Sequence, residues 1–285
     1  MRKITTLLII GAFVTGISNS AFALSPMGPP KARLEPRQWS FGLDYEHSEM
    51  DLETVSNPRI ETQDGVVVTD TDPVKSKYEI DGLTSNMVYA NIGYGLSGSW
   101  DLYVQAGLSD AQADITEVQA GGVTGDKYKN FDSSYGLAWG VGTRATFAKD
   151  GDITWGGLLQ VSWAKPDSSG LTCVGDPNFE GDAEIEYWEI QLAVGPTFES
   201  EYYRIYGGPF LHFVYGSIDL KGTATYPEPD PAVITVNSSN NINNNVNIGG
   251  FIGTQLYLAE NSSLYAECQF TSDAFGIGVG IAWKF

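Results

Sequence analysis

The chain ends in the stretch FGIGVGIAWKF, residues 275–285, in which large apolar and small side chains alternate. Successive side chains of a β-strand point to opposite faces, so one face of this stretch is large and apolar. The other face consists of glycine and alanine, with one lysine near the end. A strand of a soluble sandwich normally carries polar side chains on its second face. The pattern therefore predicts a strand whose inner side looks into a confined space.

The same two-residue period recurs along the chain, whereas helical periodicity is hard to find after residue 38. We count ten segments with this alternation. They begin near Trp39, Met87, Leu102, Tyr135, Ile153, Trp188, Tyr203, Val246, Leu264 and Phe275. The predicted fold class is therefore all-β, with about ten antiparallel strands and eight to twelve possible.

The connections between these strands alternate in length. Turns of about four residues follow strands two, four, six and eight, and polar segments of roughly twenty residues follow strands one, three, five and seven. The short stretch TSDA joins strand nine to the last strand. Transmembrane barrels have short periplasmic turns and long extracellular loops. An even number of strands also places both chain ends on the side of the short turns. We therefore predict a closed transmembrane barrel with its apolar face against lipid, and keep a soluble sandwich or barrel as the alternative.

The N-terminus has the features of an exported protein. A basic start and an apolar run precede Ala21-Phe22-Ala23, which is the arrangement of a signal peptide cleaved after Ala23. We assign residues 1–23 to this signal, 24–37 to a short periplasmic segment and 38–285 to the barrel. Removing Arg2 and Lys3 changes the formal charge from −19 to −21, and so acidic a chain excludes nucleic acid as a partner.

These features resemble the bacterial outer-membrane β-barrel superfamily. The stretch GLSGSWDLYVQAGLSDA, residues 95–111, is similar to the strand–turn–strand units of small OmpA-like and OmpW-like barrels, although no single subfamily is assigned. The resemblance implies a monomer in the cell outer membrane of a Gram-negative-type bacterium, surrounded by outer-membrane lipids. It also implies that the barrel-assembly machinery reads the last strand, here Trp283 and Phe285.

If the apolar side chains face lipid, the alternate positions face the lumen. Buried charges need partners, so we expect Glu189 and Glu267 to pair with Arg144 and Arg204 in a hydrogen-bonded network. This network either fills the lumen or gates a narrow path. The lumenal positions on which this prediction depends are Gln105, Arg144, Gln160, Glu189, Arg204, His212 and Glu267.

The favoured function is a structural or surface-interacting barrel with a lumen filled by side chains. A narrow pore for ions or small solutes is the alternative, and a lipid-modifying enzyme is the third. We expect no enzymatic activity, because His47 and Ser48 are neighbours on one strand and point to opposite faces. No cofactor or metal site is expected. The acidic first loop, with Asp51, Glu53, Asp64, Asp70 and Asp72, could attract divalent cations, and whether Cys173 and Cys268 pair is left open.

Overall fold

The structure is a computed structural model. It describes residues 24–55, 57–58, 60–63, 66–67, 75–119, 123–173, 178–226, 232–242 and 246–285. The predicted signal peptide, residues 1–23, lies outside the described residues. The same holds for Asp64, Asp70 and Asp72 of the first long loop.

Ten strands form a closed antiparallel ring, which confirms the predicted fold class. Each strand pairs with the next one along the chain. The last strand pairs with the first, from Ser40 opposite Lys284 to Met50 opposite Ala274, and this pairing closes the ring. The backbones of Trp39 and Phe285 exchange two hydrogen bonds of 3.0 Å at this seam. The strands are β1 Trp39–Glu53, β2 Lys75–Ser97, β3 Trp100–Ser109, β4 Gly136–Asp150, β5 Ile153–Lys165, β6 Asn178–Glu199, β7 Tyr203–Tyr226, β8 Val246–Ala259, β9 Ser262–Phe270 and β10 Ala274–Lys284.

The two faces of the ring differ as the alternation predicts. Large apolar side chains cover the outside of the lower part of the ring, and they are exposed although they are hydrophobic. Aromatic rings meet across neighbouring strands, for example Phe41 and Trp283 at the seam, with centroids 6.1 Å apart. The alternate residues point inward and are buried. No helix among the described residues is long and apolar enough to cross a membrane.

Beyond this apolar exterior, the wall continues upward into a second tier that we call the crown. It consists of residues 50–55, 75–83, 112–119, 123–132, 169–173, 178–187, 217–226 and 232–242. These segments pair in sequence around the ring. The bridge between Thr54 and Ile242 closes the circuit. Shorter strands at Asn57–Pro58, Ile60–Gln63 and Val66–Val67 attach to its edge.

The crown shows that the long connections, which the sequence predicts as extracellular loops, consist in part of paired strands. The low-complexity stretch NSSNN, residues 237–241, lies in a strand that pairs with β7. Most side chains inside the crown are apolar, and buried polar ones lie among them: Thr54, Glu117, Ser169, Ser238 and Asn240. Tyr128 packs edge-on against Phe179 at 5.3 Å and lies 6.3 Å from Tyr78. The hydrophobic core therefore extends into the outer half of the molecule, where it also includes Leu52, Ile80, Ile115, Phe131, Leu171, Ile185, Leu220 and Val236.

The N-terminal segment, residues 24–37, is predicted to lie in the periplasm, and this prediction is wrong. Most of the segment lies inside the barrel. Leu24 and Met27 are at most 1% exposed, and Ala32 and Leu34 are also buried. The segment then leaves the lumen, turns at Arg37 with a φ of 68°, and enters β1 at Trp39. Its proline-rich sequence has no strand or helix period, so its placement depends on the space that the barrel wall leaves for it.

Candidate functional site: the filled lumen and the crown

The small face of the last strand is where the N-terminal segment lies. A β-carbon at Gly278 would overlap the Pro26 ring, and one at Gly276 would come within 2.7 Å of the Leu24 carbonyl oxygen. Glycine is the residue that lets two backbones approach this closely. The bare face of residues 275–285 is therefore the contact surface for residues 24–26.

Glu267 anchors the middle of the N-terminal segment. Its two carboxylate oxygens accept hydrogen bonds from the backbone N–H groups of Met27 at 2.8 Å and Gly28 at 2.9 Å. The side chain of Gln269 donates to the same carboxylate at 2.6 Å and to the Ser25 carbonyl at 2.9 Å. These contacts satisfy backbone groups that would otherwise be buried without partners.

A chain of side-chain amides continues from this anchor across the lumen. Gln191 donates to Gln269 at 3.1 Å, Gln160 donates to Gln191 at 3.3 Å, and the Tyr103 hydroxyl donates to Gln160 at 2.5 Å. Four different strands are joined in this way: β3, β5, β6 and β9. The connected network leaves the middle of the lumen filled by side chains, with Gln105 also buried on its inner face.

Arg144 lies nearer the periplasmic end, opposite Asp101 in the pairing of β3 with β4. Its guanidinium is 3.9 Å from the Asp101 carboxylate, stacks over the Tyr103 ring at 3.9 Å and donates to the Met27 carbonyl at 2.8 Å. Asp101 in turn accepts a 2.5 Å hydrogen bond from the Arg33 backbone N–H. Arg144 thus holds the N-terminal segment as well as the wall.

A second ion cluster closes the periplasmic mouth. Glu199 accepts hydrogen bonds of 2.5 Å from both Arg204 and Lys31, and Arg204 lies directly opposite it in the pairing of β6 with β7. Burial, together with the nearby Arg204, lowers the pKa of Lys31, while Glu199 acts in the opposite direction. On the far side of the mouth, the Lys284 ammonium donates to the Arg33 carbonyl at 2.6 Å.

The predicted pairing of Glu189 and Glu267 with the two arginines is wrong. The carboxylate partners are Asp101 and Glu199, because these residues lie at the same height of the wall as Arg144 and Arg204. The Glu199–Arg204 pair spans a short turn, so the hairpin register could have indicated it from the sequence. The Asp101–Arg144 pair could not have been found in this way, since a long connection separates β3 from β4.

Three further charged or titratable lumenal side chains, Glu46, Glu189 and His212, form a group near the start of the N-terminal segment. His212 Nε2 is 3.6 Å from a carboxylate oxygen of Glu189, and both side chains are at most 2% exposed. Glu46 is fully buried and close enough to Glu189 for their charges to repel. None of the carboxylate oxygens or ring nitrogens of these three side chains has a hydrogen-bond partner in the described part of the chain.

The outside of the crown is acidic on the sector formed by β1, β2 and residues 112–119. Asp51 accepts a 2.8 Å hydrogen bond from the Gly82 backbone N–H, where the chain has a φ of 60°. Asp51, Glu79 and Asp114 lie near enough to Asp81 to repel its charge. Among the described residues, no group of three or more His, Cys, Asp or Glu side chains is placed to hold a metal ion.

The residues considered for catalysis lie on opposite faces of β1. His47 Nδ1 is 2.8 Å from the Asn86 side-chain oxygen, whereas the buried Ser48 hydroxyl donates to the Ser85 carbonyl at 3.0 Å. The two side chains therefore do not meet. Cys173, in the core of the crown, and Cys268, in β9, do not form a disulfide with each other.

Polar side chains mark the upper edge of the apolar exterior. The Tyr45 hydroxyl donates to Asn86 at 2.9 Å, and the Trp163 indole donates to Glu186 at 2.9 Å. Aromatic residues of this kind sit at membrane–water interfaces, with the ring in the apolar layer and the polar atom in the wet layer. A closed ring with an apolar outer band leaves no backbone edge unpaired in lipid. This is the architecture of an outer-membrane β-barrel.

No family model and no curated protein matches the chain. Three solved structures to which the barrel is similar are bacterial outer-membrane proteins. The protease OmpT from Escherichia coli has 10% identity and a TM-score of 0.48, covering 92% of this chain and 99% of that one. OprG from Pseudomonas aeruginosa has 11% identity, coverages of 88% and 97% and a TM-score of 0.35. Ail from Yersinia pestis has 10% identity, coverages of 88% and 99% and a TM-score of 0.30.

Proposed function

We propose that the protein is a non-conducting barrel of the outer membrane that acts through the outer surface of its crown. The observation that carries this proposal is the double filling of the lumen. The N-terminal segment and its polar network fill the lower half, and the apolar core of the crown fills the upper half. A packed layer of mostly aliphatic and aromatic side chains opposes the passage of ions, because it offers few groups to replace their water.

Single-channel recording in planar bilayers tests this proposal against the alternative of a narrow pore. We expect the purified protein to conduct no measurable current. A variant that lacks residues 24–37 should also conduct none, because the crown still blocks the path. Steady conductance of the intact protein would contradict the proposal. An Arg144→Ala variant that conducts while the intact protein is silent would instead support a gate at the periplasmic mouth.

We further propose that the acidic sector of the crown attracts cationic partners, of which divalent cations are the simplest. Its carboxylates repel one another and have too few positive neighbours, so cations lower their electrostatic energy. The attraction is diffuse rather than confined to one coordination site. Calcium chloride and sodium chloride at equal ionic strength should therefore raise the midpoint temperature of thermal unfolding of the crown to a similar extent. A larger calcium effect that disappears in Asp81→Asn would contradict diffuse binding.

A lipid-modifying or proteolytic activity has no support from the positions of His47 and Ser48. We propose that the protein is not an enzyme. Release of labelled fatty acid from lipid vesicles by the protein, abolished by His47→Ala, would contradict this proposal.

A further inference from the structure

Three buried side chains in the lumen are left with unbalanced charge. Glu46 and Glu189 carry four carboxylate oxygens without a hydrogen-bond partner among the described residues, and the same is true of both ring nitrogens of His212. All three side chains are at most 2% exposed. An unpaired buried carboxylate is strongly unfavourable, so such groups have a counter-charge or a donor nearby.

The described side chains supply at most one such counter-charge. The basic side chain beside the pair is His212, whose Nε2 lies 3.6 Å from a Glu189 carboxylate oxygen. Other cations in and around the lumen are engaged elsewhere: Arg144 with Asp101, and Arg204 and Lys31 with Glu199. Arg33 lies among Arg144, Asp101 and Arg204, and Lys284 donates to the Arg33 carbonyl. At least one carboxylate of the Glu46–Glu189 pair is therefore without a counter-charge among the described residues.

The start of the N-terminal segment lies beside this pair. The Ser25 side chain approaches Glu46 without forming a hydrogen bond of good geometry. Leu24 is 1% exposed, and its backbone nitrogen lies within 3.0 Å of where a β-carbon of Gly276 would stand. Leu24 is also the residue that follows the predicted cleavage site. Cleavage would turn its nitrogen from a neutral amide into an ammonium, which has a pKa of about 8, one positive charge and three donors.

We propose that the lumen contains a binding site for the protein's own N-terminal ammonium, formed by the carboxylates of Glu46 and Glu189 and completed when the signal peptide is removed. The ammonium brings to this pair of carboxylates a positive charge and the hydrogen-bond donors that the pair lacks among the described residues. The inference rests on cleavage between Ala23 and Leu24 and does not depend on the role of the crown. It implies that the N-terminal segment takes this position in the lumen only after the signal peptide has been removed.

The first test determines the N-terminal residue of the protein isolated from outer membranes by mass spectrometry. Leu24 is expected, and any other start would overturn the proposal. The second test compares the mature chain with a free and an acetylated N-terminus after refolding in detergent. Selective acetylation is feasible because the α-amine titrates near pH 8 and lysine near pH 10.4. Urea titrations followed by electrophoretic mobility give the folding equilibrium constant of each form.

Acetylation should lower this constant about a hundredfold in the unmodified sequence, since it leaves a buried carboxylate without its partner. In the double variant Glu46→Gln, Glu189→Gln the effect should stay within about threefold. If the acetylated protein does not fold at all, folding of the acetylated double variant supports the site. An equal effect in both sequences, or no effect in either, overturns it.

The matched control is Glu199→Gln, which removes the carboxylate that holds Lys31 at the other end of the same segment. This change loosens the segment without touching its first residue. The full effect of acetylation should therefore persist in Glu199→Gln. If this control abolished the effect as completely as the double variant does, the charge of the first residue would have no specific partner.

Discussion

Gly278 lies where the side chain of any other residue would overlap the Pro26 ring. From the sequence, the small residues of the last strand predict a confined space but do not show what fills it. The occupant is the N-terminal segment, whose proline-rich sequence has no period to indicate burial. Neither the small residues of the last strand nor the prolines of the N-terminal segment predict this contact alone. The contact is evident only in the closed ring, which brings residues 24–26 and 276–278 together.

The first prediction concerns this contact. Gly278→Ala should destabilise the barrel by about 1–3 kcal/mol, the usual cost of overpacking a filled interior. The N-terminal segment should also become sensitive to protease in the folded protein. Urea unfolding in detergent measures the first effect and limited proteolysis with mass spectrometry the second. Gly157→Ala is the control, because a β-carbon there makes only ordinary contacts and the destabilisation should be absent.

At the scale of elements, the strands of the lower ring follow from their alternation, since both of their faces have a distinct composition. The extensions into the crown are harder to recognise. In β2, Tyr78 and Ile80 still point inward, but the outward residues change from apolar to charged, as Lys77 and Glu79 show. Without the apolar outer face, this stretch looks like a polar loop. Its pairing partners, residues 112–119, are also set by long-range contacts that a local pattern does not contain.

The second prediction tests whether the crown can be destabilised without unfolding the lower ring. Phe179→Ala should remove the ring that packs against Tyr128 and destabilise the crown by about 3–5 kcal/mol. Because the lower ring has its own hydrogen-bonded network, the shift in electrophoretic mobility on boiling should be unchanged. Protease cleavage between residues 112 and 132 should increase. Ile248→Ala, at an exposed position on the apolar exterior, should leave this cleavage unaltered, and equal sensitivity of both variants would contradict the prediction.

At the scale of the whole molecule, strand number, closure and the end of the ring at which β1 begins and β10 ends were predictable, because connection length follows strand parity from β1 to β9. The position of the N-terminal segment inside the ring was not. The inner-facing residues Arg144, Arg204, Glu189 and Glu267 lie in the lumen as their parity indicates. Their partners were not predictable in the same way. Parity fixes the face of a residue but not its height, and salt bridges form only between side chains at one height.

The third prediction concerns the folded molecule as a unit. The exterior exposes large apolar side chains around the whole lower ring, so the mature chain should require detergent to stay monodisperse. In a gel, the unboiled protein should migrate differently from the boiled protein, since a ring without free edges resists detergent unfolding. A single monodisperse species in plain buffer would contradict the assignment of the apolar exterior to lipid.

The seam between β1 and β10 has a consequence for biogenesis. The polypeptide preceding β1 lies against β10, so the two strands that complete the circle also enclose their own leading end. A ring that closed too early would have to reopen or draw fourteen residues back in through its narrow entrance. Pairing of β10 with β1 is therefore the step that encloses the N-terminal segment. Folding should be slow whenever this segment is not yet in the lumen when the two strands pair.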